Sequence, residues 1–467
     1  MTATVYAPDS AQTLADVERA ATAVAAVLTD RGVRPGTRVL FKAGNSAAWV
    51  TVLLGLARAG ASIVLLDQQD KAEETTRIHR LTRAALTIVD DDSVPPDDGE
   101  TLYVYQLLAE AAARPAPVLD GPLDLDEWRA LPDGLIMWSS GSTGVPKGIV
   151  KTGADFLRNL ERNAVQIGHR PDDVLLPLLP FSHQYGLSMV LIAWLVRCSL
   201  VVAPYRRIDR ALRMAGQTGA TVIDATPASY RTIHNLVSRR PDPLADLRHV
   251  RLYCSGAAPL DPTLSERYVA LCGKPLLDSY GSTELGNVAF ATAENPIATG
   301  QPVDGMGVRI VDDAGQPVEA GRIGEIEVDS PDLMRGYLGE DGEVEPAPRT
   351  WRRTGDLGRL DAHGNLFVAG RKLAVRRMGY TLYPELIEAR MAEAGCSTKV
   401  IATPDERRGS SLTFFVEDED GADVAYWRAR IDAVLPAYEQ PNKVVVLPRL
   451  PLNRNGKPDR AALESLA

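Results

Sequence analysis

Apolar positions in the first hundred residues alternate between helical and strand-like spacing. Two short apolar runs, residues 39–41 and 63–66, indicate buried strands, and residues 46–59 between them predict a helix that ends at Gly60. An earlier helix ends near Gly32, and its apolar positions share one face: Leu14, Val17, Ala21, Val24 and Leu28. This alternation predicts a parallel sheet flanked by helices.

The pattern changes twice along the chain. Residues 90–100 and 113–134 are rich in Pro, Asp and Gly, which predicts surface loops. Helix and strand signals resume to about residue 290, and residues 307–330 then indicate short strands broken by Gly turns. The last hundred residues predict a separate α+β unit, with strands at 399–402, 413–416 and 443–447 and a helix at 423–435. The predicted fold class is therefore α/β.

Composition narrows the classes of function. The 467 residues carry a net charge of −10, which argues against a nucleic-acid partner but not against a nucleotide substrate. Four cysteines without a C-x-x-C pair predict neither a zinc site nor a disulfide framework. The N-terminus lacks a signal-peptide pattern, and residues 186–203 indicate a buried helix and strand and not a membrane span. We expect a cytoplasmic protein without a membrane partner.

A loop rich in small residues follows the apolar run 135–138. It reads Ser139-Ser140-Gly141-Ser142-Thr143-Gly144-Val145-Pro146-Lys147-Gly148. Glycines let backbone N–H groups approach a ligand, hydroxyls add donors, and Lys147 adds a positive charge, which together suit a polyphosphate. The spacing is not that of a Walker A loop. Composition alone leaves an ordinary flexible loop equally open.

This loop resembles the signature loop of the superfamily of acyl-CoA synthetases, peptide-synthetase adenylation domains and firefly luciferase. Further stretches resemble that family's motifs in the same order, at residues 180–187, 253–260, 278–284, 353–358, 370–385 and 451–460. The resemblance implies a large N-terminal domain, residues 1–370, built of α/β subdomains plus a small β-rich subdomain. It also implies a small mobile α+β C-terminal domain, residues 371–467, that closes as a lid.

The resemblance implies a site for ATP and Mg²⁺. Tyr280 would stack on adenine, Thr283 would bond the α-phosphate, and Glu284 would hold the metal, since Mg²⁺ prefers oxygen ligands. Asp356 and Arg371 would fix the ribose. The full set of expected nucleotide-binding residues is Ser139, Ser140, Gly141, Ser142, Thr143, Gly144, Lys147, Ser255, Gly256, Ala257, Asp278, Ser279, Tyr280, Gly281, Asp356 and Arg371.

Two further residues would act on the acid. The resemblance places His183 beside the acyl group, although a lone histidine is more often a core residue. It makes Lys457 the catalytic lysine, whereas a lysine in a turn is ordinarily just solvated. The hinge segment is one residue shorter than the family pattern and lacks its Asp, so Lys372 is the candidate pivot and Arg376 the candidate for the usual lysine.

The resulting expectation is an enzyme that joins a carboxylic acid to AMP and releases pyrophosphate. The acceptor would be coenzyme A or the pantetheine thiol of an acyl carrier protein. An amide-forming ligase of secondary metabolism and a non-catalytic nucleotide-binding relative are the alternatives. The segment near His183 has Ser182, Gln184 and Ser188 but no acidic residue to hold an α-amine, which favours an acid without an α-amino group. Small residues at 256–258 and 281 leave room for an aryl ring or a short chain.

Overall fold

The computed structural model describes residues 2–115, 117–119, 121–139, 146–372, 375–377, 380–405, 407–453 and 457–467. Within these ranges no helix is both long and apolar enough to cross a bilayer. The run at 186–203 forms a buried helix and a strand, as its interrupted hydrophobicity predicts.

The strands and helices of the N-terminal lobe alternate through about residue 290. In chain order they are β1 (Thr4–Ala7), β2 (Ser10–Thr13), α1 (Leu14–Asp30), β3 (Arg38–Lys42), α2 (Ala47–Arg58), β4 (Ser62–Leu66), α3 (Ala72–Thr82), β5 (Leu86–Val89), β6 (Thr101–Tyr103), α4 (Val104–Ala112), α5 (Asp126–Ala130), β7 (Leu135–Ser139), β8 (Lys147–Lys151), α6 (Gly153–Ile167), β9 (Val174–Pro177), α7 (Gln184–Val196), β10 (Ser199–Val201), α8 (Ile208–Thr218), β11 (Val222–Ala225), α9 (Pro227–Val237), β12 (Leu252–Ser255), α10 (Pro262–Cys272), β13 (Leu276–Ser282) and β14 (Gly286–Phe290).

The later elements are mostly strands until the last hundred residues. They are β15 (Gln301–Pro302), β16 (Gly307–Val311), β17 (Gly324–Asp329), β18 (Gly336–Leu338), β19 (Val344–Pro346), β20 (Arg352–Leu360), β21 (Leu366–Arg371), β22 (Val375–Arg377), β23 (Tyr380–Leu382), α11 (Pro384–Glu393), β24 (Thr398–Asp405), β25 (Gly409–Glu417), α12 (Val424–Val434), a 3₁₀ turn (Ala437–Glu439), β26 (Lys443–Leu447) and α13 (Arg460–Leu466).

Two large sheets form the N-terminal lobe. One has the strand order β15-β14-β13-β12-β11-β9-β10-β1-β2, and the other has β19-β18-β8-β7-β4-β3-β5-β6. Their central pairs are parallel, as in β11 with β12 and β3 with β4. Because ligands of open α/β sheets bind beyond the carboxyl ends of the strands, the segments after β12 and β13 are placed to form a site.

Helix α1 shows how the sequence produces this layer. Its five predicted apolar positions are all buried in the main core. Thr13 caps the helix by accepting from the Asp16 backbone N–H, and the Asp16 carboxylate reaches back to the Thr13 N–H. This reciprocal capping box satisfies donors that a helix start leaves without partners. The predicted apolar face and the helix end near Gly32 are confirmed.

A four-stranded antiparallel sheet, β16-β17-β20-β21, follows the large sheets and confirms the β-rich segment. The last part of the chain has a three-stranded sheet, β24-β25-β26, covered by α11 and α12. Its apolar cluster is separate from the main core and includes Ile387, Met391, Phe414 and Ile431. The predicted helix at 423–435 is α12, whose Asp423 caps the N-terminus.

Candidate active site

A cleft of about 2850 Å³ runs between the large sheets and the C-terminal lobe. This volume exceeds the usual range for one small ligand, so it has room for a nucleotide and a second substrate. Its walls include residues from nearly every stretch that the sequence singled out. Lys147, Asp278, Thr283, Asp356 and Lys457 all line it.

The phosphate loop joins β7 to β8, two antiparallel strands in which Ser139 lies opposite Lys147. The backbone of Ser139 is described, but its side chain is not. The loop residues Ser140, Gly141, Ser142, Thr143 and Gly144 lie outside the described part of the chain. The Lys147 ammonium lies 5.3 Å from the centre of the Tyr337 ring, which is a cation–π distance. No sequence motif marked Tyr337.

The ends of β12 and β13 form a tight cradle. A Cβ added at Gly256 would clash with the Ser279 hydroxyl and lie 3.0 Å from Tyr185 Cε1. The Ser279 hydroxyl donates to the Ser255 carbonyl over 2.8 Å, which fixes it in that position. Ala257, which follows, has a φ of +66°, so the chain turns sharply there. A flat ring can therefore lie directly against backbone at this place.

Asp278 borders this cradle as a half-buried residue whose carboxyl Oδ1 is buried. Burial raises its pKa to about 8, so the group is a neutral acid near pH 7. Its Oδ1 has no hydrogen-bond partner within the described residues. A neutral carboxyl offers one donor and one acceptor, which is the pattern that complements the N6 and N7 edge of adenine. The group is thus chemically suited to a base.

Asp356 and Lys457 occupy the same part of the cleft from different lobes. The Tyr280 hydroxyl donates to Asp356 Oδ2 over 2.6 Å, and Arg371 Nε lies 3.1 Å from Asp356 Oδ1. Burial raises the pKa of Asp356, and the charges of Arg371 and Lys457 oppose that rise. Burial and the Arg371 charge lower the pKa of Lys457, and the Asp356 charge opposes that fall. The carboxylate keeps further lone pairs for ligand hydroxyls.

The segment that carries Thr283 and Glu284 is held in place by hydrogen bonds to its backbone carbonyl oxygens. Four successive carbonyl oxygens each accept a hydrogen bond from another element, which fixes the direction of the side chains between them. The bonds are Gln184 Nε2 to Ser282 at 3.1 Å, Lys151 Nζ to Thr283 at 3.1 Å, Met334 N to Glu284 at 2.7 Å and Ser330 Oγ to Leu285 at 2.8 Å. We call residues 282–285 the pinned segment.

Lys151 is a buried anchor of the pinned segment that sequence reasoning missed. Burial lowers its pKa to about 8, and the charges of Asp332, Glu284 and Asp155 limit that fall. Lysine is almost never fully buried without partners. Lys151 ends the strand β8 directly after two apolar residues, and this position could have indicated a buried, partnered lysine.

His183 contacts an acidic residue that no motif marked. Its Nε2 lies 3.5 Å from Asp67 Oδ2, and the Ser182 hydroxyl donates to the same oxygen over 3.0 Å. Burial would raise the pKa of Asp67, but the hydrogen bonds from His183, Gln69 and Ser182 hold it well below its usual value. The imidazole is therefore held at the N-terminus of α7 by a carboxylate that stays ionised.

The start of α7 forms a wall of the cleft beside His183. The Tyr185 hydroxyl donates to Asp224 Oδ1 over 3.0 Å, which fixes the Tyr185 ring against Gly256. Burial raises the pKa of Asp224 to about 7. Ser188 turns back and donates to the Gln184 carbonyl over 2.7 Å. The Ser188 hydroxyl is thus occupied by its own helix. Tyr185, in contrast, lines the cleft and offers an aromatic ring to the acid.

The hinge segment is described only in part. Lys372 Nζ contacts Asp313 Oδ1 at 2.7 Å and Glu325 Oε2 at 3.2 Å, so it is tied to the antiparallel sheet. A Cβ at Gly370 would fall 2.8 Å from the Cβ of Glu385 in α11. The side chain of Arg376 and all of Gly379 lie outside the described residues.

The ion pair between Arg231 and Glu417 connects the lobes near the cleft, away from the hinge. Arg231 Nη1 on α9 lies 2.8 Å from Glu417 Oε2 at the end of β25. The Glu417 side chain is 9% exposed and that of Arg231 is 25% exposed. The C-terminal lobe also carries the turn of Lys457, whose backbone N–H donates to Asn453 Oδ1 over 3.1 Å. Residues 454–456, which include Asn455 and Gly456, are outside the described ranges.

Comparison with known proteins identifies the family. The pattern of AMP-binding enzymes matches residues 1–338, and that of the AMP-binding enzyme C-terminal domain matches residues 391–457. The chain belongs to the family of AMP-binding enzymes. It is an adenylate-forming acid ligase, and the α/β architecture with a small C-terminal lobe is confirmed.

Individual relatives cover nearly the whole of this enzyme. A feruloyl-CoA synthase of an Amycolatopsis species is 29% identical over 96% of this chain and 92% of its own length. Syringomycin synthase SyrB1 of Pseudomonas syringae pv. syringae is 30% identical over 98% of this chain and 78% of its own. The crystal structure of ATP-bound MatB from Rhodopseudomonas palustris superposes with a TM-score of 0.85 at 25% identity, covering 100% and 96% of the two chains.

Proposed function

We propose that this enzyme activates a carboxylic acid without an α-amino group and passes it to a thiol, of coenzyme A or of a carrier protein. The observation behind this proposal is that Lys457 of the C-terminal lobe lines the same cleft as Asp356 of the N-terminal lobe and Arg371 at the boundary, and the charges of both residues act on its pKa. Such a lysine can neutralise two anions that meet, an acid oxygen and the α-phosphate. The acceptor is proposed by similarity to the feruloyl-CoA synthase, whose name includes that thiol.

The nucleotide would lie along the ends of β12 and β13. Gly256 and Ala257 would support the adenine, with Ser255, Ser279 and Gly281 shaping the turn and Asp278 facing its polar edge. Tyr280 would stack on the base, although its hydroxyl is committed to Asp356. Asp356 and Arg371 would bind the ribose hydroxyls.

In the reaction, the acid oxygen attacks the α-phosphorus and the bond to the β-phosphate breaks, with its electron pair leaving on pyrophosphate. Thr283 would bind the α-phosphate, held in place by the pinned segment. A Mg²⁺ ion at Glu284 would supply neutralising charge for the phosphates, and one carboxylate suffices because Mg²⁺ commonly takes its other ligands from water and phosphates. His183 would border the acid, oriented by Asp67.

We further propose that the lid starts at residue 371 and that the short hinge turns at Arg371 and Lys372. Lys372 would then leave Asp313 and Glu325 when the C-terminal lobe rotates for the second half-reaction. The separate apolar cluster of that lobe supports a rigid movement.

The test is exchange of labelled pyrophosphate into ATP, screened across aryl, short-chain and amino acids. At least one acid without an α-amino group should support exchange, and Lys457→Ala should lower it about 100-fold or more, since removing one stabilising donor costs that much in other enzymes. Product analysis with and without coenzyme A then names the acceptor. Full exchange in Lys457→Ala would contradict the proposal.

A further inference from the structure

Two cations in the cleft have no carboxylate partner. Neither the Lys147 ammonium nor the Arg352 guanidinium lies within 4.0 Å of an acidic oxygen in the ranges that the structure describes. Both residues line the cleft, together with Glu284 and Tyr337. Arg353, the next residue on β20, points instead to the carboxylates of Glu325 and Glu327. Of these two adjacent arginines, only Arg353 has an acidic partner among the described residues.

Tyr337 holds Arg352 close to Glu284. The Arg352 guanidinium carbon lies 5.7 Å from the centre of the Tyr337 ring, and its Nη2 donates to the Tyr337 hydroxyl over 3.2 Å. That hydroxyl lies 3.4 Å from Glu284 Oε1 and can donate to it. Because Lys147 lies over the same ring, one aromatic side chain positions two positive charges beside a carboxylate whose backbone is already fixed.

The two ends of the segment 280–284 have different surroundings. Tyr280 contacts Asp356 and lies on the side of Arg371 and Lys457. Glu284 contacts Tyr337, with Lys147 and Arg352 beyond it. A nucleotide whose ribose lies at Asp356 would therefore extend its phosphates toward the second end. A planar guanidinium fork without an ion-pair partner is suited to bind phosphate oxygens through two hydrogen bonds.

We propose that Arg352 binds the β- and γ-phosphates of ATP together with Lys147 and retains pyrophosphate as it leaves. Arg352 moves no proton in this step, because the electron pair of the broken bond stays on the leaving group and the guanidinium only neutralises its charge. The retention of pyrophosphate rests on the proposed adenylation reaction. The binding of the β- and γ-phosphates of ATP does not depend on it.

The test compares nucleotides with and without those phosphates. Arg352→Gln should weaken ATP binding about tenfold or more, because a hydrogen bond to a charged group is lost, and should raise the KM for pyrophosphate in exchange to a similar extent. AMP affinity should stay within about twofold of the wild type. Arg352→Lys should recover part of the loss, since it keeps the charge but not the fork.

Arg309→Gln is the matched control. Arg309 also combines a ring contact, 4.2 Å from the Trp351 centre, with a polar partner, Glu327, but it does not line the cleft. It should bind ATP and AMP as the wild type does. Equal weakening of ATP and AMP in Arg352→Gln, or unchanged ATP binding, would overturn the inference. Both titrations are made without acid, so they decide this point even if no tested acid is adenylated.

Discussion

The ion pair between Arg231 and Glu417 gives a measurable prediction about the closed arrangement of the lobes. Exposed pairs contribute about 0.2–1 kcal/mol, and removal of one partner from a buried pair costs about 3–5 kcal/mol. With Arg231 25% and Glu417 9% exposed, this pair lies between those limits. The other partners of Glu417, Ser397 Oγ and Leu450 N, are both 3.4 Å away and replace Arg231 poorly.

Arg231→Gln should therefore destabilise the closed arrangement by about 1–2 kcal/mol, which corresponds to about 5–30-fold in the ratio of closed to open forms. If the lid moves as proposed, Lys457 reaches Asp356 only in the closed arrangement, and pyrophosphate exchange at saturating ATP should slow by up to that factor. Transfer of a preformed acyl adenylate to a thiol should not slow, because the proposed rotation takes Lys457 out of the site before that step.

Double substitution with Glu417→Gln isolates the coupling between the two residues. The double variant should lose less than the sum of the two single losses. Arg240→Gln is the matched control, because Arg240 pairs with Asp246 at 2.6 Å with similar exposure but within one lobe. If exchange and transfer slow equally in Arg231→Gln, the pair stabilises the fold and does not select an arrangement of the lobes, and the reasoning fails.

Two further predictions concern the base cradle. Gly256→Ala should raise the KM for ATP about tenfold, since its Cβ meets Ser279 and Tyr185, whereas Gly121→Ala, in open space, should not. Asp278 should make the unfolding free energy fall between about pH 4 and pH 8, because its folded pKa is raised to about 8 and the unfolded chain has lost that proton above about 3.9. Asp278→Asn should therefore flatten the decline of the melting temperature from pH 6 to pH 8; an unchanged slope would contradict the buried acid.

Periodic segments were predictable from the sequence because one local pattern decides them. The face of α1 and the bounds of β26 at Lys443–Leu447 needed only the spacing of apolar residues. Motif residues such as Asp356 and Lys457 were found because the family resemblance carries them. Only the three-dimensional structure shows that these residues line one cleft.

Residues that act from distant strands carried no such signal. Asp67 follows β4 and reaches His183 across 116 positions, and Tyr337 lies on β18, next to β8 only because of the sheet order. Arg352 and Arg353 are neighbours of the same residue type, and only the pairing of β20 with β17 shows that Arg353 meets Glu325 and Glu327. Pairing between strands far apart in the chain depends on tertiary packing, which local propensity does not encode.

The pinned segment has a consequence for synthesis of the chain. Its anchors come from residues 151, 184, 330 and 334, so the last two emerge from the ribosome well after the motif they hold. A nascent or truncated polypeptide that stops before Ser330 would contain the nucleotide-binding stretches up to Glu284 and yet lack the supports of Glu284 and Leu285. Competence to bind ATP should thus arise late in translation, as an abrupt gain and not a gradual one.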